Sequence, residues 1–414
     1  MKKTMTSFTI LIGLLGLGFG TGSCDPRDSI QGGFHVYLTW KSEDTSRTMT
    51  VLFIDAGRTM NTPVVRYDTE ARGTEPALYR HEVKAESWDF EKTGVHVHSA
   101  ELKDLTPGAT YFFAAGDADV GFSAERKFRT IPNDSSPLRF VVGGDMDVNE
   151  SVPQLLQHAA ALEPQFALIG GDIARDNGKI SNFPKWDMWL KYWGEKMLTP
   201  QGFTVPMVLA VGNHEVDGLF GTRAFAQAPF FIGLFKQNGE KTYFTRTFGA
   251  DTVVHVLDTG HIFSHGGKQR DWLFGQLTKH VSTKNRFALY HIPLYPSHRD
   301  FNSMGSRKGR DQWLPLFDLF GLTAGFESHD HALKRTKMLQ QGREVSAGGT
   351  VYFGDGAWGI HPRVLSAARP WYVASSSATR HFWVVDVNEG AQSRNSYRAI
   401  GMDGKVLDEY IAAP

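Results

Sequence analysis

The chain has 414 residues, more than one ordinary domain needs and enough for two or three. Its hydrophobic content of 41% and charged content of 21% are typical of a globular protein and exclude a disordered or fibrous one. The 44 basic and 44 acidic side chains balance, so no positive excess indicates a nucleic-acid or anionic-membrane surface. We therefore expect no nucleic-acid binding.

Residues 1–24 have the layout of a secretory signal peptide. A positive start precedes an apolar run from Phe8 to Phe19, which is too short for a comfortable membrane span. Small residues then lead into Cys24, the single cysteine, and resemble the lipobox of bacterial lipoproteins, although Thr21 stands where Leu is usual. This resemblance implies a cell-envelope protein, periplasmic or at the cell surface, attached to the membrane through a lipidated Cys24. Ordinary signal cleavage and secretion is the alternative, and both interpretations predict export.

Residues 30–132 carry the pattern of half-buried antiparallel strands. In the first run, Val36, Leu38 and Trp40 occupy alternate positions, and further runs of the same period follow between turns. Alternation of this kind predicts an all-β sandwich. Residues 133–137 have the composition of a linker.

One turn within this region has a specific resemblance. The segment from Leu105 to Tyr111 resembles the Leu-x-Pro-Gly-x-x-Tyr segment of fibronectin type III domains. In those domains the Tyr hydroxyl bonds back to the chain at a corner between two strands. We therefore expect the sandwich to be fibronectin type III-like.

Short apolar runs and helical stretches alternate over residues 138–379. The strand-like runs are Leu138 to Val142, Phe166 to Ile169, Val205 to Val211, Val253 to Leu257, Phe287 to Tyr290 and Thr323 to Phe326. The helical stretches are Val152 to Leu162, Lys268 to His280 and Gln312 to Phe320. Uninterrupted apolar strands between helices indicate an α/β domain with mixed sheets covered by helices. Residues 380–414 add further β runs, which we expect to pack on this domain.

Candidate metal ligands follow five of the predicted strands. They are two carboxylates, an amide and three imidazoles: Asp145, Asp172, Asn213, His291, His329 and His331. Because functional groups gather at strand ends in such sheets, we expect these side chains to lie together. Mixed oxygen and nitrogen ligands suit Fe, Mn or Zn, and suit Ca²⁺ or Cu(I) poorly.

Phosphate-ester hydrolysis would use such a ligand set. It needs a nucleophilic water near neutral pH and neutralisation of the charge on the phosphoryl group. Two cations about 3.5–4 Å apart provide both, and a carboxylate must bridge them. The sequence thus predicts two divalent or trivalent metal ions and a small-molecule phosphate ester as the substrate.

The order of these motifs resembles the calcineurin-like metallophosphoesterase superfamily, and most of all its purple acid phosphatase branch. The motifs are Gly144-Asp145, Gly171-Asp172, Gly212-Asn213-His214-Glu215, a lone His291, and His329-Asp330-His331. The fibronectin-like region and the runs Glu327 to Thr336 and Gly348 to Gly359 support that branch. The resemblance covers essentially everything after residue 30.

The resemblance implies a role for each matching position. Asp145, Asp172 and His331 would bind the first metal, with Asp172 bridging to a second metal held also by Asn213, His291 and His329. His214 would hydrogen-bond the substrate or the attacking oxygen and serve as a proton donor, or would merely orient its loop. His298 falls where plant members carry a His that protonates the leaving group, and is otherwise a solvent-facing loop residue. Direct attack on phosphorus by a metal-bound hydroxide is the implied mechanism of an acid phosphatase-like phosphomonoesterase.

Two positions depart from the purple acid phosphatase pattern. The Tyr that binds ferric iron and colours the family is replaced by Arg175, and a Gly is replaced by Asp147. We hypothesise that Asp147 supplies the missing oxygen ligand to the first metal. Arg175 is a donor only and cannot ligate. It could pair with Asp147 or Asp176, or bind a substrate phosphate as a fork.

Two other functions stay open at this point. The same scaffold could serve a phosphodiesterase or a nucleotidase, since loops read the leaving group of the ester. A surface binding protein with a decayed metal site is the second alternative, although all six core ligand positions are intact.

Two further runs admit a binding or a structural interpretation. The aromatic side chains between Phe183 and Trp193 could stack on a nucleobase, but their spacing favours the buried face of a helix. The basic run from Ser306 to Arg310 is more often a solvated face than a substrate contact.

Overall fold

A computed structural model describes residues 35–56, 60–90, 93–218, 224–389 and 394–412. The predicted signal peptide and Cys24 lie outside the described residues, so export and lipidation stay predictions. Within these ranges, no helix has both the length and the apolar character that a membrane span requires.

The N-terminal part consists of two antiparallel sheets. Its strands are β1 (His35–Thr39), β2 (Met49–Ala56), β3 (Val64–Asp68), β4 (His81–Lys84), β5 (Glu86–Phe90), β6 (Val95–Leu102), β7 (Thr110–Asp117), β8 (Gly121–Phe122) and β9 (Arg126–Arg129). One sheet has the order β1-β2-β6-β5, and the other has the order β4-β3-β7-β8 with β9 also paired to β7. Val36, Leu38 and Trp40 are buried in a core shared with Val65 and Phe113 of the second sheet. The predicted sandwich is confirmed.

The predicted corner forms at Tyr111. The backbone N–H of Thr106 donates a hydrogen bond to the Tyr111 hydroxyl over 2.9 Å. The ring of Tyr111 stacks on Phe128 of β9, with 5.7 Å between the ring centroids. The hydroxyl therefore ties the turn to the strand that follows it, as the sequence motif predicted.

The second part is the predicted α/β domain. Its strands are β10 (Leu138–Gly143), β11 (Phe166–Ile169), β12 (Met207–Leu209), β13 (Gln237–Glu240), β14 (Phe244–Phe248), β15 (Thr252–Val256), β16 (Asn285–Leu289), β17 (Ala324–Phe326), β18 (Leu333–Thr336), β19 (Leu339–Gln340), β20 (Arg343–Glu344), β21 (Val351–Gly354), β22 (Val373–Ser377), β23 (His381–Glu389), β24 (Arg394–Gly401) and β25 (Val406–Ile411). Its helices are α1 (Ser151–Ala161), α2 (Phe183–Lys196), α3 (Ala224–Gln227), α4 (Pro229–Phe235), α5 (Lys268–Lys279) and α6 (Met304–Phe320).

Two mixed sheets pack face to face between helices. One has the order β12-β11-β10-β23-β24-β25 and the other the order β14-β15-β16-β17-β21-β18-β22. Phe140 and Phe166 of the first sheet share a core with Phe287 and Phe326 of the second. The outer faces are covered by α1 and α2 on one side and by α5 and α6 on the other. The central strands of each sheet are buried on both faces, which explains the uninterrupted apolar runs. The predicted fold class is confirmed.

The C-terminal strands extend the first sheet. β23 pairs antiparallel with β10, from Leu138 opposite Val387 to Val142 opposite Trp383. β24 and β25 then follow in order along the same edge. Residues 381–411 thus contribute half of this sheet, whose other strands carry the first candidate ligands.

The aromatic run belongs to the core. Phe183, Trp186, Trp189 and Trp193 are fully or almost fully buried on α2. They pack in a cluster with residues of the first N-terminal sheet, such as Tyr37, whose hydroxyl donates to the Leu234 carbonyl over 2.6 Å. The structural interpretation of this run is confirmed, and the run holds the two domains together.

The basic run lies in a helix. α6 begins at Met304, eight residues before the predicted start, so the run from Ser306 to Arg310 forms its first turns. Gly305 and Gly309 allow close packing, since an added Cβ would lie 3.0 Å from Ile292 or Leu294. Arg310 donates to the carbonyls of Leu294, over 2.5 Å, and Phe301. The run therefore braces the segment that follows His291.

We predict that Tyr111→Phe destabilises the N-terminal sandwich. The substitution removes only the hydroxyl and leaves the Thr106 N–H without its partner, which should lower the free energy of unfolding by about 1–2 kcal/mol. Urea titration followed by tryptophan fluorescence measures this change. Tyr192→Phe is the control, because Tyr192 is partly buried and no hydrogen bond to its hydroxyl is found among the described residues. An equal loss in both variants would contradict the corner's role.

Candidate metal centre

The ends of strands from both sheets supply the candidate ligands. Asp145, Asp172 and Asn213 follow β10, β11 and β12 of one sheet. His291 follows β16 of the other sheet, and His329 and His331 follow β17. All six side chains lie where the carboxyl ends of the parallel strands of the two sheets meet.

The backbone at these positions is mostly left-handed. Residues other than glycine rarely adopt a positive φ, and each instance costs roughly 1–3 kcal/mol. Seven such residues cluster here: Asp145, Asp147, Asp172, Arg175, Asn177, His329 and His331. Glycines accommodate the close approach of the loops, because a Cβ on Gly171 would lie 2.6 Å from the backbone nitrogen of Gly212. The surrounding fold therefore holds a conformation that the local sequence disfavours.

One group of ligand atoms surrounds His291. The His291 Nε2 atom lies 3.3 Å from Asp172 Oδ1, 3.1 Å from Asn213 Oδ1 and 3.0 Å from His329 Nδ1. The other ring nitrogen, Nδ1, donates to the Gly170 carbonyl over 2.8 Å. That bond orients the ring so that Nε2 faces the group.

A second group lies beside the first. Asp145, Asp172 and His331 bring their ligand atoms within 4.8 Å of one another. The His331 Nε2 atom is 3.0 Å from Asp145 Oδ1, which otherwise has no hydrogen-bond partner among residues that the structure describes. Asp172 belongs to both groups, as a bridging ligand must.

The electrostatics fit metal ions. Burial favours neutral His291, but the charge of Asp172, its hydrogen bond and the charge of Asp145 raise the pKa of His291 to about 9. Burial and the charge of His291 lower the pKa of His329 well below its usual value, so its ring is neutral. The negative charges that raise the pKa of His291 would also attract metal ions, and imidazole nitrogens together with carboxylates are the donor set of Fe, Mn or Zn.

Glu215 holds the Asp172 loop. Its buried carboxylate accepts hydrogen bonds of 2.7 Å from the backbone N–H groups of Asp172, Ile173 and Gly212. These bonds tie the loop after β11 to the loop after β12. Glu215 ends the Gly-Asn-His-Glu run, and its place beside a predicted ligand was the signal for a role that we did not assign from the sequence.

Arg175 contacts different partners from those predicted. Its Nη1 atom lies 3.6 Å from Asp172 Oδ2, and Nη2 donates to His214 Nε2 over 2.5 Å. No ion pair of Arg175 with Asp147 or Asp176 is found among the described residues, and Asp176 accepts a hydrogen bond of 2.7 Å from the indole of Trp186. The Arg175 guanidinium thus borders the shared carboxylate directly.

His214 is held as a neutral ring. Its Nδ1 donates to the side-chain oxygen of Asn177, and its Nε2 accepts from Arg175. Burial, opposed in part by the charge of Asp172, lowers the pKa of His214. The backbone N–H of His214 also donates to Asp172 Oδ1 over 2.8 Å. His214 therefore lies at the edge of the centre beside Arg175.

Two predicted residues lie outside both groups. Asp147 is half-buried, and its Oδ1 accepts a hydrogen bond of 2.8 Å from Val148 in its own turn. His298 is exposed; its backbone N–H donates to Asp330 Oδ2, and its Nδ1 donates to the Val364 carbonyl over 3.0 Å. Nε2 of His298 is then free to face solvent. Neither side chain is brought among the ligand atoms.

A buried ionic triad supports the centre from behind. The side chains of Lys334, Glu327 and Asp355 are fully buried, with Lys334 Nζ 2.6 Å from Asp355 Oδ1 and paired also with Glu327. Burial lowers the pKa of Lys334, but the charges of Asp355 and Glu327 raise it more, so the lysine stays charged. The carboxylates accept backbone N–H groups of Leu294 and Ser297. The triad thus positions the segment between His291 and His298. Lys334 inside β18, with Glu327 and Asp355 directly after the apolar strands β17 and β21, was the signal that sequence reasoning missed.

The sequence matches two known families. Residues 34–130 match the family described as "Purple acid Phosphatase, N-terminal domain", and residues 138–333 match "Calcineurin-like phosphoesterase". The first matched region coincides with the sandwich, and the second begins where the α/β domain begins.

Several relatives align over most of the chain. "Purple acid phosphatase 18" of Arabidopsis thaliana is 23% identical over 375 residues, covering 85% of this chain and 76% of the relative. "Acid phosphatase type 7" of Homo sapiens is 24% identical over 358 residues, covering 76% of each. The solved structure of purple acid phosphatase PPD1 from yellow lupin seeds superimposes with a TM-score of 0.76, at 18% identity, over 91% of this chain and 73% of that one.

The chain carries a calcineurin-like phosphoesterase domain, and its phosphatase relatives support a phosphoric ester hydrolase. More narrowly, this domain follows a region that matches the purple acid phosphatase N-terminal domain, so the chain is similar to the branch of phosphoesterases that carries both. This family depends on a dinuclear metal centre and acts on small phosphate esters.

We predict that Lys334→Met strongly destabilises the protein. The substitution keeps the volume but leaves two buried carboxylates without their cation, which should cost about 3–5 kcal/mol. Lys337→Met is the control, since Lys337 pairs with Glu344 at the surface and should change stability by less than about 1 kcal/mol. Urea titration of both variants measures the difference. A loss below about 1 kcal/mol in Lys334→Met would show that the triad does not hold this part of the fold.

Proposed function

We propose that the protein is a phosphomonoesterase that hydrolyses small phosphate esters at a dinuclear metal centre. The observation that supports this most is that two groups of ligand atoms share a single buried carboxylate, Asp172. A decayed site would not be expected to keep six matching positions converging in this way.

The proposed ligands divide between two metals. Asp145, Asp172 and His331 would hold the first metal. Asp172 would also contribute to the second, together with the ligands Asn213, His291 and His329. The neutral amide of Asn213 adds a ligand without removing positive charge from the centre. Fe, Mn or Zn would suit this set.

When bound, the metal pair supplies a water nucleophile near neutral pH and neutralises charge on the phosphoryl group. Arg175 and His214 would then act on the same phosphoryl group. Arg175 Nη1 is buried, makes no hydrogen bond within the described part of the chain and faces the shared carboxylate from 3.6 Å. It would donate to a phosphoryl oxygen, while Asn177 keeps His214 oriented beside it.

His298 is the proposed proton donor to the leaving group. Its backbone is held by Asp330, and its Nδ1 bonds to the Val364 carbonyl. A proton on Nε2 would therefore point away from those partners, toward solvent or substrate. Transfer of that proton to the leaving oxygen would avoid the release of an alkoxide.

The first metal would have weaker preference for ferric iron than in purple members of the family. No tyrosine is present at position 175, and the carboxylate of Asp147 stays in its own turn. Asp147 as a replacement ligand remains a proposal that would require this turn to open.

We predict that Asp172→Ala abolishes turnover and metal binding together. Removing the shared carboxylate should disrupt both groups, so hydrolysis of p-nitrophenyl phosphate should fall at least about a thousandfold. Elemental analysis of the purified variant should find neither metal retained at stoichiometric amounts. Asp271→Ala, at an exposed aspartate on α5, is the control and should keep both. Turnover retained by Asp172→Ala would refute the proposed function.

We also predict that the iron-loaded protein lacks the visible phenolate-to-iron band of the family. Arg175→Tyr should create that band when the variant is loaded with Fe(III), because a phenolate then stands beside Asp172. Absorption spectra of the two iron-loaded proteins test this, with Arg175→Phe as the colourless control. A purple wild-type protein would overturn the assignment of position 175.

A further inference from the structure

The loop after β21 wraps over the first group of ligands. The backbone N–H of Ile360 donates to the Asp145 carbonyl over 3.1 Å, and that of Arg363 donates to the His331 carbonyl over 2.9 Å. The next carbonyl, of Val364, accepts from His298. Arg363 is therefore held at the mouth of the centre by its own backbone.

The Arg363 side chain has no partner in the described part of the chain. It is half-buried, and no hydrogen bond or ion pair of its guanidinium is found there. Burial lowers the pKa of Arg363, and the positive charges of Arg299 and Arg175 lower it further, opposed by Asp330 and Asp145. The backbone bond to the His331 carbonyl holds Arg363 beside the first group of ligands, where these like charges act on it.

The neighbouring arginines differ in the hydrogen bonds that their guanidinium groups make. Arg299 donates from Nη1 to the His329 carbonyl over 2.6 Å and to Asp330 Oδ1 over 2.7 Å, so its charge is balanced. Arg175 has one buried nitrogen, Nη1, that lies 3.6 Å from Asp172 and makes no hydrogen bond among the described residues. Arg175 and Arg363 thus keep guanidinium N–H groups beside the two ligand groups that could donate to phosphate oxygens.

A single phosphoryl group does not account for both arginines. The carboxylates of Asp145 and Asp172 together with a phosphoryl dianion would balance two divalent cations. Arg175 and Arg363 are then positive charges in excess. Arg175 faces the shared carboxylate and would contact the phosphoryl group that reacts, whereas Arg363 lies on the loop that crosses the Asp145 side.

We propose that Arg363 binds a second phosphoryl group of the substrate, so that the enzyme prefers esters that carry two phosphoryl groups over simple monoesters. This inference rests on the proposed function and deepens it by naming the substrate class. The second group could be linked to the reacting one as an anhydride or be attached elsewhere on the same leaving group. A guanidinium suits either case, because its fork donates two parallel hydrogen bonds to phosphate oxygens.

The test compares substrates that differ only in the second phosphoryl group. The kcat/KM of the metal-loaded full chain is measured for adenosine 5′-monophosphate, adenosine 5′-diphosphate and adenosine 3′,5′-bisphosphate. We expect the kcat/KM of at least one of the two-phosphoryl substrates to exceed that of the monophosphate by about tenfold or more, since charge-assisted hydrogen bonds strengthen binding by about this factor. Which of them is preferred distinguishes the anhydride from the separate attachment.

Arg363→Gln should remove this preference mainly through KM. The kcat/KM for the preferred two-phosphoryl substrate should fall roughly ten- to a hundredfold, while that for the monophosphate changes less than about threefold. Arg363→Lys should restore part of the preference by keeping the charge. Arg343→Gln, at an exposed arginine on β20, is the matched control and should behave as the wild type.

Three results would overturn the proposal. The wild type could show less than about threefold preference for both two-phosphoryl substrates. Alternatively, Arg363→Gln could lose equal activity on all three substrates, which would make Arg363 a general support of the centre. In both of these cases hydrolysis by the wild type would leave the proposed function intact. A wild-type protein that hydrolyses neither these esters nor p-nitrophenyl phosphate would overturn the proposed function along with this inference.

Discussion

The buried carboxylate of Asp172 is the constraint on which the site depends. It lies 1% exposed, in a left-handed backbone conformation, at the end of a central strand. Its backbone is held by Glu215, and its Oδ1 accepts the His214 N–H. Because Asp172 belongs to both groups of ligand atoms, its position determines where the ligands of one sheet lie relative to those of the other. The packing of the two sheets therefore also sets the geometry of the centre.

The rest of the molecule keeps that carboxylate in place. The two mixed sheets bury Phe140, Phe166, Phe287 and Phe326 between them, so their strand ends cannot slide apart. Lys334 and its two carboxylates anchor the segment after His291 from the far side. The N-terminal sandwich packs on the tryptophans of α2, which follows the Asp172 loop. The left-handed backbone conformations in the centre persist because these contacts outweigh their conformational cost.

Two arginines add positive charge to the centre. Arg175 stands where a phenolate would bind iron and lies against Asp172, and Arg363, which has no partner among the described residues, lies on the loop over Asp145. Both side chains favour an anionic substrate. The site thus combines a ligand set matched to the family with a positive rim, and we expect that rim to select the substrate.

The sequence alone determined the domains' fold class and the six candidate ligands, because periodicity and strand-end motifs are local signals. It also predicted the Tyr111 corner, since one hydroxyl and one turn define it. The helix start at Met304 was missed because Gly305 and Gly309 weaken the local helical signal. These glycines are accommodated in the helix because they allow close packing against Ile292 and Leu294. Only the tertiary structure decided that Arg175 lies against Asp172 and that Asp147 stays in its own turn. The tertiary structure also decided that the Arg363 backbone bonds to His331 and that its guanidinium has no partner in the described ranges. These contacts join residues that are distant in the chain and depend on loop conformations that no local pattern encodes.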